Sequence, residues 1–212
     1  KIVRASCIRS GVKHKYHEYS RQLSMNQEEF FFEQYNGAAF GMSHVGRVQK
    51  TNEDRCLIRP LENERLLFAV ADGLGGGMSG DIASKIMIET LGRADLQPGP
   101  DLEKVLTGLV MTADRDICAR ITKRPELEGM ATTLVCGILQ KNRLYWINVG
   151  DSRLYLFRDN ELTQISSDQT LAHFLLQEGE ITPEQAQTHY SKDLLDQCIG
   201  YGECDPQTGV LD

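Results

Sequence analysis

Six consecutive apolar residues, Leu66-Leu-Phe-Ala-Val-Ala71, run directly into Asp72 and then Gly73-Leu-Gly-Gly-Gly77. An uninterrupted apolar run of that length reads as a short strand buried on both faces. The expectation is that the strand ends at Asp72, in a loop that only glycine can shape so tightly. At 212 residues the chain has room for one sizeable core and too little for two ordinary ones.

The pattern on either side of this strand alternates hairpins with helices. Ser79 or Asp81 is placed to cap a helix with Ile82, Ala83, Ile86 and Thr90 on its inner face. Asp101 opens a longer one, where Leu102, Val105, Leu106, Leu109, Ala113 and Ile117 recur every three or four residues. Thr132 to Leu139 and Leu144 to Val149 read as two strands joined by a polar turn. Arg153 to Phe157 and Leu162 to Ile165 form a second hairpin around Arg158-Asp159-Asn160. From 169 to 199 the chain turns polar and helical, with Pro183 at a helix start. Hairpin-linked strands with helices between them predict an α+β sandwich rather than a parallel βαβ fold.

Residues 1–36 differ from the rest, with Arg, Lys, His, Gln and Tyr mixed without a sustained period. They read as an N-terminal extension, in which Glu28-Glu-Phe-Phe-Phe-Glu33 is either a short edge strand or a helix. Because the chain starts at Lys1 rather than Met, a fragment of a longer protein is expected. A net charge of -7 speaks against a nucleic-acid partner, since phosphate backbones demand a basic surface. No apolar run is long enough to span a membrane and no signal peptide is visible, so the expectation is a cytoplasmic monomer. The six cysteines, at 7, 56, 118, 136, 198 and 204, show no zinc spacing and read as reduced, buried thiols.

Acidic residues sit at strand ends. Glu53 and Asp54 lie in Asn52-Glu-Asp54, Asp72 follows the apolar run, and Asp151 follows Leu144-Tyr-Trp-Ile-Asn-Val-Gly150. A carboxylate at the end of an apolar strand is costly to bury alone and calls for a counter-ion. Oxygen ligands without histidine or cysteine point to a hard cation, Mg²⁺ or Mn²⁺. Any single Asp-Gly pair is better explained as turn chemistry, and it is several carboxylates at apolar strand ends that shift the balance.

The ordered series is more specific. It runs Gly46-Arg-Val-Gln-Lys-Thr-Asn-Glu-Asp54, Val70-Ala-Asp-Gly-Leu-Gly-Gly76, Gly129-Met-Ala-Thr-Thr133 and Asn148-Val-Gly-Asp-Ser-Arg153. Ser166-Ser-Asp-Gln169 and Gln177-Glu-Gly-Glu-Ile-Thr-Pro-Glu184 complete it. Over residues 38 to about 200 it resembles the motif series of the metal-dependent type 2C serine/threonine protein phosphatases, especially their bacterial branch. That resemblance implies a four-layer α-β-β-α sandwich of two antiparallel sheets flanked by helices, occupying residues 37–212 and incomplete at its C-terminal end.

By the same resemblance Glu53, Asp72 and the Gly73 carbonyl hold one metal, and Asp72 reaches a second. Asp54 approaches metal-bound water, and Asp151 serves a third, weaker ion. Asp54 and Asp72 form the catalytic pair, and a metal-bridged hydroxide attacks the phosphorus without a phosphoenzyme. The implied cofactors are two, possibly three, Mn²⁺ or Mg²⁺ ions. The implied substrates are phosphoproteins of a bacterial serine/threonine kinase.

The series also departs from the family. Gln49 stands where a phosphate-clamping arginine is usual, and Arg47, two residues earlier in an assumed strand, is expected to compensate in part. The family's two late metal-binding aspartates have no counterpart before Asp212. Leu74 replaces a histidine common in eukaryotic members, and Ala131 replaces a glycine. His173 and His189 fall in the segment resembling the family's mobile flap and are expected to pack there, not to ligate. The departures keep a second reading open, an impaired phosphatase-like module that binds phosphoproteins or regulates a partner.

Overall fold

The computed structural model describes residues 2–3, 19–22, 27–34, 37–45, 47, 50–75, 79–99 and 101–212. In chain order the strands and helices are β1 (Ile2–Val3), β2 (Tyr19–Gln22), β3 (Gln27–Gln34), β4 (Gly37–His44), β5 (Asp54–Leu61), β6 (Arg65–Leu74), α1 (Ser79–Arg93) and α2 (Leu102–Lys123). They continue with β7 (Ala131–Thr132), β8 (Leu134–Gln140), β9 (Arg143–Val149), β10 (Arg153–Arg158), β11 (Glu161–Gln164), α3 (Leu171–Gln177), α4 (Pro183–Thr188) and β12 (Gln207–Leu211).

The largest sheet runs β12-β9-β8-β6-β5, with the short β7 added against β6, and every pairing in it is antiparallel. Its central strands are buried on both faces, as the apolar run requires. Leu67, Ala69 and Ala71 point into one core with Met87 and Leu91 of α1 and Leu106, Val110 and Ile117 of α2. The alternate residue Phe68 joins Val135, Trp146 and Leu154 in a second, smaller core on the opposite face. Leu154 belongs to β10, which pairs antiparallel with β11 and, over two residues, parallel with β1. The molecule is thus the expected α+β sandwich, with α1 and α2 on one side of the main sheet and a second sheet on the other.

The Glu28–Glu33 segment resolves as part of strand β3, which lies in the middle of a third sheet, β2-β3-β4. The start of α1 differs from expectation. Ser79 is already helical, and Asp81, in the first turn, pairs with Arg55 of β5 instead of capping. At the other end Thr182 and Gln185 form a reciprocal capping box around Pro183, which starts α4 as expected. The five cysteines among the described residues are all free thiols.

Candidate active site

The apolar strand does not end at Asp72. β6 continues to Leu74, because Gly73 and Leu74 pair with Thr132 and Ala131 of β7 and the Gly73 amide donates to the Glu53 carbonyl at 3.0 Å. Glycine is required at 73 for a reason other than a loop. A Cβ there would lie 2.1 Å from the Gly80 carbonyl oxygen and 2.7 Å from that of Glu53. The strand and the first turn of α1 therefore meet backbone to backbone, and Asp72 sits on a rigid element.

Asp54 begins β5 and is the register partner of Asp72. Directly opposed residues of an antiparallel pair send their side chains to the same face of the sheet. Asn52 sets the approach of this segment. Its Oδ1 accepts from the Asp54 amide at 3.2 Å, while its Nδ2 donates to Ser43 Oγ at 2.7 Å. Ser43 in turn donates to the Asp54 carbonyl at 3.1 Å, tying β4 to the acidic turn.

Asp151 arrives from the far side, in the bend after β9. Burial raises the proton affinity of its carboxyl above the ordinary aspartate value, and the nearby carboxylates of Asp72 and then Asp168 raise it further. The 166–169 segment braces this bend. Gln169 accepts from the Gly150 amide at 2.8 Å through Oε1, and its own amide donates to the Gly150 carbonyl at 3.1 Å. Arg153 forms a two-pronged ion pair with Asp168.

Among the described residues, no three His, Cys, Asp or Glu side chains converge closely enough to enclose a metal ion by themselves. The donors nonetheless suit a hard cation. Asp54 and Asp72 are opposed on β5 and β6 and the charge of Asp72 is felt at Asp151, and such ions take one or two carboxylates and fill their shells with carbonyls and water. Residues 40–192 match the family model for protein phosphatase 2C.

The chain belongs to the protein phosphatase 2C family.

Relatives in that family include the serine/threonine protein phosphatase PstP of Mycobacterium tuberculosis, 41% identical over 165 residues that make up 77% of this chain and 31% of that protein. The serine/threonine phosphatase Stp of Listeria welshimeri is 34% identical over 172 residues, 78% of this chain and 68% of its own. The catalytic domain of PstP, solved in complex with two manganese ions, superposes with a TM-score of 0.66 at 38% identity, covering 80% of this chain and 69% of that one. This chain therefore spans less than a third of the mycobacterial relative's full length.

Of the site residues anticipated for a protein phosphatase 2C, Asp54 and Asp72 are register partners, the Gly73 amide bonds the Glu53 carbonyl, and Asp151 follows the end of β9. Arg47 is exposed in a turn beyond β4 and not in a strand. Gln49 itself lies outside the described residues. His173 bonds Gln177 on α3, and His189 bonds Ser191 at 2.7 Å, so both serve the helical segment. An open cleft of about 610 Å³ runs beside this segment, lined by Arg153, Asp168, His173, Pro183 and Lys192 among others, and neither Asp54 nor Asp72 lines it. Sequence reasoning missed Asn52, Ser43, Thr133 and Ser152 as supports of the acidic residues. Three of the four stand inside the quoted motifs, which was the available signal.

Proposed function

We propose that this chain carries the acidic centre of a metal-dependent phosphoserine/phosphothreonine protein phosphatase. The observation that carries the reading is the register pairing of Asp54 with Asp72 on adjacent strands, with Asp151 following Gly150, which packs on the same Thr133 that hydrogen-bonds the Asp72 backbone. A cation bound among carboxylates of this kind would offset their mutual repulsion. Family membership and bacterial relatives named as serine/threonine phosphatases support the same reading.

In it, Glu53, Asp72 and the Gly73 carbonyl would hold one Mn²⁺ or Mg²⁺, Asp72 would contribute to a second, and Asp151 would hold a third, weaker ion. When bound, these ions supply Lewis acidity, which lowers the pKa of water and draws charge from the phosphoryl oxygens. Asp54 orients the attacking water and accepts its proton at the carboxylate. The phosphoryl group passes directly to water without a covalent enzyme intermediate, the P–O bond to the serine or threonine oxygen breaks, and that oxygen takes a proton from water as the hydroxyl leaves. Arg47, in its exposed turn, offers a guanidinium to the substrate phosphate. Residues 37–212 serve as the phosphatase domain, acting as a cytoplasmic monomer on phosphoproteins made by a bacterial serine/threonine kinase. Among the described residues no helix is long and apolar enough to cross a membrane.

The test is phosphate release from a phosphothreonine peptide with added Mn²⁺ and with chelator. Metal-dependent turnover supports the phosphatase. Binding of the peptide without turnover, at any Mn²⁺ concentration, would instead favour the phosphoprotein-binding module.

A further inference from the structure

Asp72 and Asp151 come from separate strands, and one buried side chain touches the backbone around both. Thr133, fully buried between β7 and β8, accepts from the Asp72 amide through Oγ1 at 3.2 Å, while its own amide donates to the Asp72 carbonyl at 2.9 Å. The same Oγ1 lies 2.8 Å from Ser152 Oγ, the residue just after Asp151, and that serine is also buried. The Thr133 methyl fits against Gly150, the residue just before Asp151. Gly150 has φ +97°, and a Cβ there would stand 2.7 Å from Thr133 Cγ2.

Thr133 therefore grips Asp72 by two hydrogen bonds and both neighbours of Asp151, one through its hydroxyl and one through its methyl. Thr132, beside it, also donates through Oγ1 to the Asp72 carbonyl at 3.0 Å, and its backbone exchanges two 2.9 Å bonds with Ile199. The block around the spacer is held from three directions. Interiors packed in this way do not deform continuously, so a spacing set here is a fixed one.

We propose that the Thr133–Ser152 hydroxyl pair is a positioning device that fixes the distance between the Asp72 and Asp151 carboxylates, and so sets the affinity of this centre for divalent cations. The inference rests on the metal-site reading given above and goes beyond it by naming residues that touch no ligand themselves. Groups that orient ligating carboxylates commonly change metal affinity by about 10–100-fold when removed.

Three substitutions separate the parts. Thr133→Val keeps the methyl against Gly150 and removes the hydroxyl. Ser152→Ala removes the other hydroxyl with almost no change in volume, and Thr133→Ser restores the hydroxyl and loses the methyl.

The experiment is calorimetric titration of each purified protein with Mn²⁺ well below its melting temperature, beside Asp72→Ala. The proposal expects Thr133→Val and Ser152→Ala each to weaken Mn²⁺ binding about 10–100-fold. It expects the double variant to be no weaker than the worse single one, because both remove the same bond. Thr133→Ser should stay near the unsubstituted protein. Unchanged Mn²⁺ binding in Ser152→Ala and in any folded Thr133→Val, even with a lowered Tm, would reduce the pair to ordinary packing and overturn the proposal. Unchanged binding in Asp72→Ala would overturn the metal-site reading itself, and the proposal with it.

Discussion

Asp54 and Asp72 are register partners on the antiparallel strands β5 and β6, and both carboxylates leave the same face of the sheet. Like charges directly opposite one another on paired strands repel, and a bound cation would offset that repulsion. Added Mn²⁺ is therefore expected to raise the Tm of the protein. The rise should be much smaller in Asp72→Asn, where scanning calorimetry with and without 1,000-fold excess over Kd would show the loss of about 4 kcal/mol of linkage stabilisation. Equal rises in both proteins would refute a metal site at Asp72.

The contact between Gly73 and Gly80 gives a second prediction. Gly73→Ala drives a Cβ into the backbone of α1 and should cost about 1–3 kcal/mol or more in urea denaturation. Gly108→Ala, on an exposed helical turn of α2 with nothing within 4 Å, should instead stabilise by about 1 kcal/mol. Similar effects at both positions would contradict the close approach.

How much of this was legible beforehand depended on range in sequence. The Leu66–Ala71 run announced a strand buried on both faces, since burial on two sides is written into local composition. Its end at Leu74 was not announced, because the extra pairs come from Ala131 and Thr132, some sixty residues away. For the same reason Thr133 passed as one member of a motif. Its neighbours Asp72 and Ser152 become visible only when β6, β8 and β9 lie side by side. Arg47 lies in a turn, where the two-residue alternation of a strand says nothing about which way a side chain faces. Asp81 looked like a cap because acidic residues favour helix starts, yet Arg55 across the interface claims it.

Thiol burial gives a pH dependence. Burial and then the Asp114 carboxylate push Cys204 up to about 11, while burial, Cys204 and Asp114 push Cys198 up to about 12. The unfolded chain gives up these protons near the ordinary thiol range, about 8.5, whereas the folded protein keeps them. The contribution is fully present below that range and is lost as pH rises through about 11 and then about 12. Urea midpoints should fall between pH 8 and pH 11, and less so in a Cys198→Ser, Cys204→Ser variant. An equal fall in the variant would assign the loss to other groups.

Helix α4 has no buried residue, so its local capping box carries much of its stability. Thr182→Ala should destabilise this turn by about 1 kcal/mol. Amide exchange would then quicken across residues 183–188 while the amides of β6 and β8 keep their protection. Uniform acceleration through the sheet would mean that α4 is coupled to global unfolding.

The central claim is that Asp72 anchors a metal-dependent phosphatase centre. Its most direct test is phosphate release from a phosphothreonine peptide at saturating Mn²⁺, measured on the protein and on Asp72→Ala with matched folding by circular dichroism. The account predicts turnover in the first and a loss of at least about a hundredfold in the second. Equal turnover in the two proteins would contradict it.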